Sequence, residues 1–407
     1  MMQQNLTFNP SSPTTMHLDL NSCFATVEQQ ANPHLRGKPI AVAAYTTDNG
    51  CILAPSVEAK RFGITVGMHI RDGKRLCPTL IILSPDPAKY RFVNKKLTKL
   101  LGGYTDDITV KSIDEMVLNF THSPYLKQGM TTIAKEIKTR IKKEVGDFLT
   151  VSVGISSNRF LAKTASSLHK PDGLDEINHE NFQEVYRNLR VEQLCGIKLG
   201  NGVRLNSVGI FTVWDMYNAT IAKLKSAFCS ILGYHWYLRL HGYEIDNIEF
   251  SRKSYGHSYA LYKPLTLDTG LNKILCKLVE KMGRRLRASN YTARGIHIAC
   301  EYNDYSVYHH GQTMKEAIYS SNDLYKAALK VLLSSPDKKP VRTLAVSCFA
   351  LSKNSLNQLS LINDEEQKRS LTQALDKVSR RFGQWTVFPA IMMGTSDKVL
   401  DRIAFGV

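Results

Sequence analysis

The stretch that most constrains this chain is Ser112-Ile113-Asp114-Glu115, set between Thr109-Val110 and Met116-Val117-Leu118. Charged side chains are rarely buried unless paired or metal-bound, so two adjacent carboxylates between apolar runs are unusual. On a regular strand, neighbouring side chains point to opposite faces. Both acids reach one site only where the chain bends. Taken alone, the stretch reads as a solvated acidic turn between two strands. Asp19, in Met16-His17-Leu18-Asp19-Leu20, shifts that reading. Three carboxylates on neighbouring strand ends can hold divalent metal through oxygen ligands, as Mg²⁺ prefers. The sequence therefore predicts a bend at 112–115 with Asp114 nearest Asp19.

At 407 residues the chain is long enough for several domains, and 43% hydrophobic residues can support real cores. Its formal charge of +17 points to a polyanionic partner, nucleic acid first and an acidic membrane surface second. Eight cysteines are scattered singly with no C-x-x-C spacing, which fits a reducing cytosol. No apolar run approaches the roughly 18 residues of a membrane span, and no membrane partner is expected. Residues 1–15 are polar, lack the apolar core of a secretory signal, and read as a disordered tail.

Along the chain, residues 16–20 read as a buried strand and 21–30 as a helix. Short strands follow at 39–43, 51–54 and 80–83, with a basic helix at 56–62. Helices are expected at 90–101, 129–145 and 158–167, and a strand at 149–155. The order β-α-β-β-α-β implies an α+β catalytic domain with 23–83 inserted after the first acidic strand. Residues 176–245 read as short helices. An α+β pattern returns at 253–350, with strands near 254–262, 294–301 and 341–350 and helices near 268–288 and 314–334. A polar stretch, 353–365, and a charged helix, 365–382, lead to the end.

Four segments carry a family resemblance. Asp19-Leu20-Asn21-Ser22-Cys23-Phe24-Ala25-Thr26-Val27-Glu28 and Ser112-Ile113-Asp114-Glu115 resemble the two acidic motifs of the Y-family (translesion) DNA polymerases. Val153-Gly154-Ile155-Ser156-Ser157-Asn158-Arg159-Phe160-Leu161-Ala162-Lys163 resembles the third palm motif, and Lys170-Pro171-Asp172-Gly173 follows it. The resemblance runs from about residue 16 to the end. It implies a multi-domain right hand. The α/β palm would be 16–22 with 84–172, the small fingers 23–83, and the helical thumb 173–245. An α+β little finger would span 253–350, and a C-terminal tail 353–407.

The resemblance also implies roles. Asp19 and Asp114 would bridge two Mg²⁺ ions, with Mn²⁺ as an alternative. Glu115 would complete the primer-side site, and the Leu20 carbonyl would be a further ligand. Phe24 takes the steric-gate position, against the alternative of a core residue. Asn49-Gly50-Cys51 with Glu58-Ala59-Lys60 resembles the UmuC branch, the catalytic subunits of bacterial DNA polymerase V. Many members carry Tyr and Arg where this chain has Val57 and Lys60, so a bidentate fork becomes a point charge. Lys60 and Lys163 are the expected triphosphate ligands. Gln193 to Ile210 resembles a helix-hairpin-helix, whose Gly196, Lys198 and Gly200 would meet a DNA phosphate. Lys253 opens the little finger, and its helix carries Lys277, Lys281, Arg284, Arg285 and Arg287 toward DNA, unless that run is merely a solvated face. Gln358-Leu359-Ser360-Leu361-Ile362 resembles the bacterial sliding-clamp-binding peptide, with Ile in place of the usual Phe.

The expected activity is template-directed addition of dNTPs to a primer 3′-hydroxyl during DNA damage bypass. Expected partners are primer-template DNA, dNTP, the sliding clamp and accessory activating proteins. A monomer in the cytoplasm, associated with the nucleoid, is expected. A non-catalytic DNA- and clamp-binding scaffold is the alternative, but such relatives lose the palm acids that are present here. A nucleotidyl cyclase with a similar palm leaves the hairpin and the clamp peptide unexplained.

Overall fold

β1 (Thr15–Leu20) is the middle strand of a five-stranded sheet, and the first half of the chain is built outward from it. The structure is a computed structural model that describes residues 6–248, 251–353 and 364–400. The chain divides after Ile248 into two compact units.

In the first unit, β2 (Ile40–Ala43), β3 (Ile52–Pro55) and β4 (Ile81–Leu83) form a small sheet of their own, in the order β3-β2-β4. It has a separate core that includes Ile52, Ile64 and Ile70. The larger sheet takes β5 (Ile108–Val110), β6 (Glu115–Asn119), β7 (Val151–Ser156) and β8 (Leu174–Ile177), in the order β5-β6-β1-β7-β8. β1 is antiparallel to both β6 and β7. This is the expected β-α-β-β-α-β palm with one more strand, β8, parallel to β7. The palm sheet therefore runs past the expected boundary at 172. Burying Met16, Leu18, Met116, Leu118, Val153 and Ile155 against the helices Pro87–Leu101 and Met130–Arg140 makes the main core.

Two expected boundaries move. The first helix is Cys23–Ala31, not 21–30, because Ser22 sits in the left-handed region (φ 48°). Cys23, Phe24 and Val27 of that helix pack in the same core as the larger sheet, together with Val42 and Ala54 of the small sheet. The expected disordered tail is ordered from residue 6 in the described structure. Phe8 is buried and stacks on Phe182 with centroids 4.2 Å apart, and the Asn9 amide donates to the His241 carbonyl at 2.8 Å. A buried aromatic ring anchors that polar segment to the helical layer. The layer itself is five short helices between Phe182 and Leu240, within the stretch 176–245 where short helices are expected.

The second unit is a four-stranded antiparallel sheet of β9 (Ser254–Leu265), β10 (Tyr291–Tyr302), β11 (Val307–Ile318) and β12 (Val341–Lys353), in the order β11-β10-β12-β9. The helices Leu271–Ala288 and Ser321–Leu333 bury one face of it. β11 replaces the front of the helix expected at 314–334. Ser320 caps the real helix, its Oγ accepting from the Asp323 amide at 3.1 Å. The helix Asp364–Phe382 and the segment to Leu400 are not a free tail, since Met392 and Val399 are buried and Val399 joins the core of this unit.

Candidate active site

The acids are assembled by strand register. Asp19 on β1 lies directly opposite Glu115 on β6, so their side chains share one face. The predicted bend at 112–115 is present and Ser112 makes it. Its hydroxyl donates to Asp114 Oδ1 at 2.5 Å and accepts from the Glu115 amide at 3.0 Å. The Leu20 amide then donates to the Asp114 carbonyl at 2.9 Å, which ties the turn to the end of β1. Asp114 lines the same cavity as Asp19 rather than facing open solvent.

That cavity, of about 510 Å³, is lined by Asp19, Leu20, Phe24, Val57, Lys60, Asp114 and Lys170, among others. Phe24 is both things the sequence allowed. It is buried and stacks on Tyr90 at 4.4 Å, yet it also lines the cavity. Cations balance the acids. Lys170 Nζ donates to Asp19 Oδ2 at 2.5 Å, and Lys163 Nζ to Glu115 Oε2 at 2.5 Å. Burial pushes the Asp19 carboxyl above its ordinary range, and nearby Glu115 and Asp114 add to this against the pull of Lys170. Burial also pushes Glu115 up, but its bond to Lys163 outweighs that and leaves it below the usual range. Lys60 is lowered, by burial first and by Lys170 second. Groups whose charge states are perturbed in this way inside a cleft mark a functional site.

The donor set fits a divalent cation. Carboxylates and a main-chain carbonyl are the hard oxygens that Mg²⁺ and Mn²⁺ take. Ligand atoms of His17, Asp19 and Glu115 all lie within 4.8 Å of one another. His17 was missed by sequence reasoning, although its position two residues before Asp19 on a strand is the signal that would have placed it on the same face. Burial pulls its imidazole down to about 4, against the upward pull of Glu115.

A family model described as the impB/mucB/samB family matches residues 18–167, and the model of that family's C-terminal domain matches 252–361. The chain is 30% identical over 390 residues to DNA polymerase IV of Pelotomaculum thermopropionicum, covering 94% of this chain and 96% of that protein. The chain belongs to this family, the Y-family DNA polymerases. As such it is a DNA-directed DNA polymerase of the translesion type. Among solved structures, a Y-family DNA polymerase chimera, Dbh-Dpo4(243-245)-Dbh, is similar at a TM-score of 0.73 and 26% identity, covering 84% of this chain and 99% of that one. The fold of an insertion ternary complex of Dbh DNA polymerase also matches, with a TM-score of 0.59 at 24% identity.

Membership sharpens several expectations and corrects others. The UmuC branch is not supported, because relatives from several bacteria carry the name DNA polymerase IV. Lys60 lines the cavity as expected, whereas Lys163 is spent on Glu115 and is absent from the cavity lining, where Lys170 stands instead. In the sequence Lys170 stands in Lys170-Pro171-Asp172-Gly173 with nothing local to mark it as a cavity residue.

The hairpin at 196–200 is half of what was expected. Gly196 is in the left-handed region (φ 94°), and Lys198 caps a real helix, Leu199–Ser207, with no side-chain cap on its free amides. The helix before it is a single 3-10 turn, Val191–Gln193. In the second unit, Lys253 and Arg285 are exposed. Arg284 and Arg287 are not free to meet phosphate. The Arg287 guanidinium is buried in a bidentate pair with Asp376 at 2.6 and 2.9 Å, and Arg284 lies 4.5 Å over the Trp385 ring. Lys277 and Lys281 of the same run are buried as well, their ammonium groups donating to the carbonyls of Thr395, Lys398 and Val399. The peptide Gln358, Leu359, Leu361 and Ile362 lies outside the described residues. No helix among the described residues is long and apolar enough to cross a membrane.

Proposed function

We propose that this chain adds dNTPs to a primer 3′-hydroxyl by two-metal nucleotidyl transfer, with Mg²⁺ or Mn²⁺ held by Asp19, Asp114, Glu115 and the Leu20 carbonyl. One observation carries the reading: acids and lysines converge on a single cavity at the end of β1, with an aromatic floor. Bound ions would supply charge stabilisation at the attacking and leaving oxygens. Phosphoryl transfer needs alignment and charge more than covalent help, and the chain's own groups provide both. Lys170 and Lys60 face the cavity as point charges for the triphosphate, and Lys170 can exchange Asp19 for a phosphate oxygen as a cation takes the acid. Phe24, held by its stack on Tyr90, lines the cavity and would disfavour a 2′-hydroxyl on a bound nucleotide. The free amides at Leu199–Ser207 suit a DNA backbone phosphate, since a helix N-terminus attracts anions. Exposed Lys253 and Arg285 add sequence-independent contacts.

Partners under this reading are primer-template DNA, a dNTP and, through Gln358 to Ile362, the bacterial sliding clamp; accessory activators are compatible with it. The site of action is the cytoplasm, at the nucleoid. A primer-extension assay with Mg²⁺, with and without clamp, tests it. Extension by the wild type and none by Asp19→Ala, with DNA affinity kept, is expected. Wild-type extension by Asp19→Ala would falsify the assignment.

A further inference from the structure

His17 lies at this site and has no part in the roles above. It is two residues from Asp19 on β1, so both side chains share a face. The residue is 1% exposed, and neither ring nitrogen has a hydrogen-bond partner among the described residues. Its Nε2 lies 3.8 Å from Glu115 Oε2, the same oxygen that Lys163 holds at 2.5 Å. A buried polar ring without a partner is costly, and a phenyl ring of similar size would suit the metal-free fold better. The cost makes sense if the partner is gained only when the site fills. A divalent cation on Asp19 and Glu115 repels the Lys163 ammonium. The carboxylate then needs a donor that adds no positive charge, and an imidazole offers an N–H without one.

We propose that His17 is a positioning residue for the metal site: with a divalent cation bound, its Nε2–H holds the Glu115 carboxylate in place of the Lys163 ammonium. The proposal rests on reading Asp19, Asp114 and Glu115 as metal ligands. The gap to close is small, from 3.8 Å to hydrogen-bond distance. Replacing a group that orients a metal's ligands typically costs about 10- to 100-fold in metal affinity.

The test uses Mn²⁺ as the probe, followed by electron paramagnetic resonance on the full chain, beside thermal unfolding without metal. His17→Phe should bind Mn²⁺ about 10- to 100-fold more weakly. Its metal-free melting temperature should stay level or rise. His17→Gln keeps a neutral N–H and should recover part of the affinity. Unchanged Mn²⁺ affinity in His17→Phe overturns the proposal. So does a loss of metal-free stability in both variants that accounts for the weaker binding, since that is a packing role. Nitrogen bound directly to Mn²⁺ in the wild type also overturns it, making His17 a ligand instead. Equal Mn²⁺ binding by wild type and Asp19→Ala defeats the metal-site reading itself, and the role of His17 with it.

Discussion

Lys163 and Lys170 in the first unit and Lys277, Lys281 and Arg287 in the second are all basic residues on or beside helices, but they end against different partners. In the first unit each ammonium meets a carboxylate of the acidic cluster, with side chains 29% and 38% exposed, and the Lys170–Asp19 pair lines the cavity. In the second, Lys277 and Lys281 cap backbone carbonyls and Arg287 grips Asp376, all under the segment 364–400. A carboxylate at a cavity rim can trade its lysine for a metal ion, freeing the lysine for a phosphate. A buried carbonyl has no such alternative, and removing its donor leaves an unsatisfied group. Basic charge is thus available chemistry in one region and packing in the other.

Substitutions can break this contrast, starting with the largest effect. Asp19→Ala or Asp114→Ala should lower nucleotide incorporation by about 10³-fold or more, while DNA affinity measured by fluorescence anisotropy stays near wild type. Arg287→Ala should do the reverse. It leaves Asp376 unpaired in a mostly buried site and should destabilise the second unit by about 3–5 kcal/mol in chemical denaturation. If Arg287→Ala instead weakens DNA binding with stability intact, the contrast between the regions collapses.

Within the first unit, Lys170→Ala should raise KM for dNTP by about tenfold or more, the worth of a charged hydrogen bond. Lys163→Ala should change KM for dNTP much less than Lys170→Ala, because Lys163 is paired with Glu115 outside the cavity lining. Steady-state kinetics with the two patterns exchanged would restore Lys163 to the triphosphate. A smaller effect is expected with pH. His17 stays neutral in the fold down to about 4, while the unfolded chain takes the proton near 6.5. The unfolded state binds the extra proton, so stability present above about pH 6.5 is lost as pH falls toward 4. In His17→Phe the slope of unfolding free energy against pH should flatten over that range. The smallest change is expected at Arg285→Ala, which should reduce the salt dependence of DNA binding by about one unit of slope.

Much of the palm was legible in the sequence because its strands are continuous apolar runs and its helices carry a clear period. The bend at Ser112 was legible too, from the demand that two adjacent acids serve one site. β11 was not, since Val307–Ile318 is an edge strand with mostly exposed or half-buried residues and no apolar alternation. The role of Phe8 was hidden for a related reason: a lone aromatic in a polar segment has no period to reveal it. Lys163 ended a recognised motif and drew the triphosphate role. Lys170, seven residues on, holds the better position only because a turn returns it to β1.

The sequence by itself determined the acids, their order and the family chemistry, because a metal site needs those residue types whatever surrounds them. Only the tertiary structure decided which cations serve the site, since that depends on what else lies within a few ångströms. It put Lys170 and Lys60 at the cavity, put Arg284 and Arg287 under a C-terminal segment, and left a buried His17 beside Glu115. Side-chain charge is written locally; the partner that fixes its use comes from distant parts of the chain.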